Sequence, residues 1–399
     1  MPRVAVGSIL AAAAAVCTAA VLLCPWGQWA AALGAHELPH GARTNVASEL
    51  LRGVHISRRD NATLSEFLET IVSETQPFAG QTVLVTGASR GLGRGIAVVL
   101  LAAGINLGLP LRTVNDRLVE ELLAESVALR RDVLGDAAPG HNTPSIKLWQ
   151  MDLADLSSVQ ACVREMSAAN FRASVVINNA GLTSPYDEVT AQGYELTAGV
   201  NFIGTAYFTL SLLKAGVLAD DGGTADNAGR VVMVSSEEHR ADNIEPLQMR
   251  YPTAESFCKP NADADGGMHN AMRRYATSKL LLTTFSHELA RRQQGVEVVD
   301  VCPGPVASDI ARAAPWPVNH IVAWGMRQTF QTPERAALPV VKLALQGAAA
   351  FRDHSKTSDP AGAVHFHMSE PRPAAVGATD IANGEWIWSM TSSVVENWV

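Results

Sequence analysis

Cysteine is scarce in this 399-residue chain: five in all, with no Cys-x-x-Cys pair. Cys17 and Cys24 fall in an apolar run, while Cys162, Cys258 and Cys302 stand alone. That pattern excludes a disulfide framework and argues against a structural zinc site. His365 and His367 would share one face of a strand, but no third ligand is suggested nearby in sequence, so they read as partly buried strand side chains. Clustered basic residues are missing as well. Arginines and lysines occur at most in short pairs such as Arg58-Arg59, and the net charge is −8, so a nucleic-acid partner is set aside. Charge is modest altogether, at 18% of residues against 47% hydrophobic, which leaves ample apolar material for a core.

The longest uncharged stretch of interest runs over 4–24, preceded by Arg3 and followed by Pro25 and Trp26. It is long enough to cross a bilayer as a helix and longer than the usual core of a cleaved signal. The expectation is a membrane anchor over residues 1–24, with a removed signal segment as the alternative. Arg43, Arg52, Arg58 and Arg59 on the far side hint that the bulk of the chain faces the cytoplasm. A single-pass protein of the endoplasmic reticulum is expected. The glycosylation acceptor Asn61-Ala62-Thr63 would point instead to a secretory or organellar lumen. Residues 25–79 read as a linker holding a short amphipathic helix over 63–73, opened by the capping box Thr63-Leu64-Ser65-Glu66.

From Gln81 onward, short apolar runs alternate with helical patterns. Strands are expected at 82–87, 105–111, 146–152, 174–181, 230–236 and 296–304, and a first helix at 94–104 closed by Gly104. Near-continuous Val/Ile strands alternating with helices predict an α/β fold: one doubly wound, Rossmann-type parallel sheet over 80–399, covered on both faces.

The first strand runs into TGASRGLG, residues 86–93. Gly87, Gly91 and Gly93 allow a sharp turn and a close backbone approach, and the following helix directs its unpaired N–H groups at the same spot. Between the first strand and first helix of a doubly wound pattern, this loop of Gly87, Ser89, Arg90, Gly91, Leu92 and Gly93 predicts a dinucleotide pyrophosphate site. No acidic residue closes the second strand, which ends Leu109-Pro110-Leu111-Arg112. Arg112 and Arg90 together favour the extra 2′-phosphate of NADP(H) over NAD.

Further along, Tyr275 and Lys279 stand four apart in RRYATSKLLL, within a stretch from Met268 to Gln294 free of glycine and proline. On a helix they share a face, beside Leu282 and Leu289, which places a phenol at the edge of the core with an ammonium next to it. A cation at about 4 Å from a phenolate, at an effective dielectric near 20, is worth on the order of 4 kcal/mol. That would bring an ordinary phenol toward use near neutral pH.

With TGASRGLG, NNAG at 178–181, Asn201 in GVNFIG, Ser235-Ser236 after a strand, YATSK at 275–279 and PGPV at 303–306 in this order, the chain resembles the short-chain dehydrogenase/reductase family. VSSEEHR, SKLLLTTFSHELARR and the ending EWIWSMTSSVV most resemble its retinol-dehydrogenase-like branch, including WW-domain oxidoreductases, although no WW module is present. The resemblance implies Tyr275 as acid/base, Lys279 as its partner, Ser236 as the carbonyl-binding hydroxyl and Asn201 as holder of a water beside Lys279. It places Asp152 and Leu153 at the adenine, and Asn178, Asn179, Ala180 and Gly181 along the cofactor groove. Tyr275, Lys279, Pro303, Gly304 and Val306 would complete the cofactor site, and no metal is implied.

The function expected is NADP(H)-dependent interconversion of a hydrophobic alcohol with its ketone or aldehyde, the substrate being retinoid-, steroid- or lipid-like. Two alternatives are a dinucleotide-binding interaction protein without turnover and a C=C reductase of the protochlorophyllide-reductase kind. A small hydrophobic substrate, a membrane contact through the N-terminal helix and a homodimer are the expected partners. Trp316, Ile321, Val322 and Trp324 form a candidate apolar lid.

Overall fold

A computed structural model describes residues 81–135, 143–218, 229–260, 268–293, 295–307, 330–346 and 363–396. The N-terminal apolar run, the helix expected at 63–73 and the lid candidates Trp316, Ile321, Val322 and Trp324 lie outside the described residues.

The core is an eight-stranded sheet in the order β3-β2-β1-β4-β5-β6-β7-β8. Its strands are β1 (Thr82–Val85), β2 (Asn106–Leu111), β3 (Ile146–Gln150), β4 (Val175–Asn178), β5 (Gly229–Val234), β6 (Val296–Cys302), β7 (Val364–His367) and the short β8 (Glu370–Pro371). All neighbours pair in parallel except β7 with β8. The central strands are buried on both faces, which is why they read as unbroken Val/Ile runs.

Successive residues of a strand serve opposite layers. Val83 and Val85 join one apolar cluster with α1 (Gly91–Ala102), α2 (Asp116–Leu134) and the later helix Pro333–Gln346. Leu84, between them, joins the other cluster. That second layer contains α3 (Leu156–Ala168), α4 (Leu196–Lys214), α6 (Met268–Arg292) and the C-terminal helix Ile381–Val395. A shorter helix, α5 (Ile244–Arg250), precedes α6, while the Pro333–Gln346 and Ile381–Val395 helices are α7 and α8. Among the described residues α4 alone is long and apolar enough to cross a membrane, yet 83% of its most apolar 18-residue window is buried within the fold. It is a core helix.

The elements follow the expected order with tighter ends. Helix α1 begins at Gly91 rather than 94, and its backbone reverses at Gly104 with φ of 83°. Strand β3 stops at Gln150 and β6 at Cys302, which leaves Asp152, Pro303 and Gly304 in the connections beyond the strands. Sequence periodicity does not see where pairing ends, because a neighbour's length decides that.

Candidate active site

The sheet order reverses direction at β1: β2 lies on one side and β4 on the other. The loops leaving these two strands therefore part company and open a crevice at the C-terminal edge. Every motif read from the sequence, apart from the helical ones, emerges on that edge. Gly87 to Gly93 follow β1, Arg112 follows β2, Asp152 and Leu153 follow β3, Asn179 to Gly181 follow β4, Ser236 follows β5, and Pro303 to Val306 follow β6.

The glycine loop is built for close approach. Gly87 has φ of 72°, and a Cβ there would lie 3.0 Å from the Ala180 Cα; one on Gly93 would lie 2.3 Å from the Gly87 carbonyl oxygen. Side chains at either position would push apart the β1 and β4 loops. Thr86 ties the same loops together. Its hydroxyl accepts from the Asn179 and Ala180 amides, each at 3.0 Å, and its carbonyl accepts from the Asn179 side chain at 2.9 Å. The sequence reading missed Thr86; its only signal was a hydroxyl at a strand end just before the first glycine. Gly91 opens α1 with φ of 53°, and Arg90 gives the helix no side-chain cap, so the first N–H groups of α1 face the crevice. Ser89, Arg90 and Arg112 are exposed, and among the described residues neither arginine carries an ion pair. Arg94, one turn on, is instead committed to Glu121 and Glu125 at 3.0 and 2.7 Å.

Two expected cofactor positions carry structural bonds of their own. Asn178 turns into the core, where its amide donates to the Thr209 hydroxyl at 2.8 Å, so Asn179, Ala180 and Gly181 are left to line the groove. Asp152 lies two residues past β3 rather than at its end, and its carboxylate accepts from the Ala154 amide at 2.9 Å, shaping its own turn. Leu153 is buried beside it. On the other side of the crevice, Gly304 has φ of 79°, and Val306 bridges to Gln331, whose side chain donates to the Pro303 carbonyl at 3.4 Å.

The candidate catalytic side chains converge. Tyr275 and Lys279 share one face of α6, with the Lys279 Nζ 5.6 Å from the centre of the Tyr275 ring. Lys279 is buried and donates to the Val234 carbonyl at 2.7 Å, a bond that holds α6 against the end of β5. Burial pulls its pKa down to about 8, although Asp300 and Cys302 oppose that shift. Although Tyr275 keeps part of its surface open, burial pushes its phenol well above the usual value, with a hydrogen bond with Ser236 acting in the opposite direction; in the cofactor-free chain the phenol therefore does not shift toward neutral pH as the Tyr-Lys spacing alone suggests. Ser236 also accepts from the Glu238 amide at 3.3 Å and so opens the 3₁₀ turn Glu237–Ala241.

Asn201 sits in a π-helical turn, Gly199–Gly204, within α4. This irregularity marks many functional helices. Its oxygen accepts from the Leu182 amide at 2.8 Å, and its amide donates to the Leu182 carbonyl at 2.9 Å and to Ser278 at 3.0 Å. Ser278 in turn donates to the Tyr275 carbonyl at 2.7 Å. Ser278 went unnoticed in the sequence, where only its position beside Lys279 could have flagged it. A Cβ on Gly181 would lie 3.3 Å from the Asn201 oxygen and 3.8 Å from the Lys279 Nζ, so these two side chains flank one glycine.

Known proteins similar to this chain identify its family. The family model described as short chain dehydrogenase matches residues 81–254. Retinol dehydrogenase 14 of Mus musculus is 33% identical over 275 residues, covering 66% of this chain and 73% of that protein. Retinol dehydrogenase 14 of Homo sapiens is 34% identical over 281 residues, covering 66% of this chain and 74% of the relative. The chain belongs to the short-chain dehydrogenase family. As a short-chain dehydrogenase it is an oxidoreductase that uses a nicotinamide dinucleotide. Its fold is also that of an uncharacterized protein from Mycobacterium Paratuberculosis, with a TM-score of 0.51 and 22% identity over 80% of this chain and 94% of the other.

Proposed function

We propose that this short-chain dehydrogenase interconverts a hydrophobic alcohol and its ketone or aldehyde with NADP(H), on a retinoid-, steroid- or lipid-like substrate. The observation that carries the chemistry is the convergence of Tyr275, Lys279, Ser236 and Asn201 at the C-terminal edge of the sheet. The glycine loop would hold the dinucleotide, which would provide hydride chemistry at the carbon. The chain's own residues then handle the oxygen. Ser236 donates to the carbonyl oxygen and fixes it near the phenol, and Tyr275 gives its proton in reduction or takes one in oxidation. The Lys279 ammonium favours the phenolate by through-space attraction. Asn201 and Ser278 fix the turn of α6 from which Tyr275 projects, and Gly181 leaves room between Asn201 and Lys279.

Three observations support the finer points. Arg90, at the start of α1, and Arg112, just past β2, are exposed where a 2′-phosphate needs cations, and no carboxylate closes β2. The two relatives at 33% and 34% identity carry the name retinol dehydrogenase, which favours an apolar alcohol. The uncharged run 4–24 fits a single-pass membrane anchor, suited to a substrate that partitions into lipid. A pure binding role would have no use for all four convergent side chains. The deciding experiment is a panel of retinoid, steroid and fatty-aldehyde substrates with NADPH and NADH, followed by cofactor absorbance. Turnover of an apolar carbonyl with NADPH is expected. Binding of NADPH without turnover of any of them would sink the proposal.

A further inference from the structure

Beneath Ser236 lies a second cluster that the hydride chemistry does not use. Strands β6 and β7 pair in parallel with Asp300 opposite His365 and Cys302 opposite His367. Because alternate residues share a face, these pairs form two successive rungs on one side of the sheet. The turn after β5 brings Glu237 over both rungs. Its Oε1 lies 3.3 Å from His365 Nε2 and 3.4 Å from His367 Nδ1. The ligand atoms of Glu237, Cys302 and His367 all lie within 4.8 Å of one another.

We propose that Glu237, Cys302 and His367 form a binding site for a zinc-like divalent cation, with a fourth position left for water. A thiolate, an imidazole and a carboxylate from three separate segments are a donor set suited to tetrahedral Zn²⁺. Their mutual spacing allows one ion to touch all three. The His367 imidazole is mostly buried and faces both other groups, with its Nδ1 3.4 Å from Glu237 Oε1 and the Cys302 thiol beside the same ring. The surroundings also orient the carboxylate. His365 faces Glu237 Oε1 while its own Nδ1 rests 3.1 Å from the buried Asp300, and the Arg240 guanidinium takes the other oxygen, Oε2, at 2.8 Å. Oε1 is thereby the oxygen turned toward His365 and His367. Outer partners of this kind commonly fix a ligand's direction.

The site would join the ends of β5, β6 and β7. Glu237 directly follows Ser236, and Cys302 directly precedes Pro303. An ion there would clamp the segment carrying the substrate-facing hydroxyl to the loop on the far side of the crevice. This assignment stands on the three ligands alone and does not depend on which alcohol the enzyme takes.

The test uses the full chain, stripped with a chelator and then titrated with Co²⁺ alone. A thiolate-to-cobalt charge-transfer band should saturate at one ion per chain and vanish when Zn²⁺ is added. In Cys302→Ser the band should be lost, and in His365→Asn the affinity should fall by about 10- to 100-fold through loss of the orienting partner. A band that persists in Cys302→Ser would come from another cysteine and would overturn the site, as would the lack of any band in the unaltered chain. Should Cys302→Ser fail to fold by circular dichroism, His367→Gln carries the same test: Zn²⁺ affinity within threefold of the unaltered protein would overturn the assignment.

Discussion

Replacing Lys279 by methionine keeps most of the side chain's length and removes its charge, so it separates electrostatics from packing. Taking the 5.6 Å from Nζ to the centre of the Tyr275 ring as a stand-in for the charge separation, with an effective dielectric near 20, the attraction for a phenolate is about 3 kcal/mol. That is less than a 4 Å separation would give, and it corresponds to roughly 100-fold in kcat. Stability should respond differently. Burial lowers the Lys279 pKa from 10.5 to about 8, so the folded protein pays to keep the ammonium inside when it is charged. The cost is on the order of 3 kcal/mol below pH 8. Removing the lysine also leaves the Val234 carbonyl without its donor, at about 1–3 kcal/mol. The two nearly cancel, so near neutral pH the variant should be about as stable as the parent.

As pH rises from about 8 toward 10.5, the folded parent has released this proton while the unfolded chain still holds it. Parent stability therefore climbs relative to the variant across that window. Urea denaturation of both cofactor-free proteins from pH 7 to 10, beside steady-state kcat, reads both effects. A stability difference that stays flat across that range would refute the desolvation argument. A kcat within threefold of the parent would refute the electrostatic role.

Tyr275→Phe should leave NADPH binding nearly intact and cut turnover by orders of magnitude, because the proton donor alone is removed; turnover within a few-fold would overturn the acid/base role. Arg112→Asp should shift the kcat/KM ratio from NADPH toward NADH, and an unchanged ratio would move the 2′-phosphate to Arg90. Gly93→Ala places a Cβ 2.3 Å from the Gly87 carbonyl oxygen and 2.5 Å from the Asn179 side chain; dinucleotide affinity measured by fluorescence titration should collapse, and retention within threefold would show that the loop can move aside. Deleting residues 1–24 should release the protein from membranes with activity on a soluble carbonyl retained, as judged by fractionation and assay. A natural mature N-terminus found beyond residue 24 would favour a cleaved signal instead.

Where the chemistry is local, the sequence alone determined it. The glycines of 87–93 are legible because they interrupt a strand-to-helix pattern at a fixed place, and Tyr275 with Lys279 because helical geometry puts residues four apart on one face. The sheet's double layer follows from near-continuous Val/Ile strands alternating with helices. What tertiary structure decided is which side chains meet across distance. Asn178 belongs to the same four-residue motif as Gly181, but its side chain is directed into the core toward Thr209. The actual separation of Lys279 from the phenol is set by its bond to Val234, a residue 45 positions away. His365 and His367 looked like two strand residues lacking a third ligand. The parallel register of β6 and β7 places them opposite Asp300 and Cys302, and the turn after β5 adds Glu237. Local periodicity fixes the face on which a residue lies. Strand order and register, settled by packing of the whole sheet, fix what it faces.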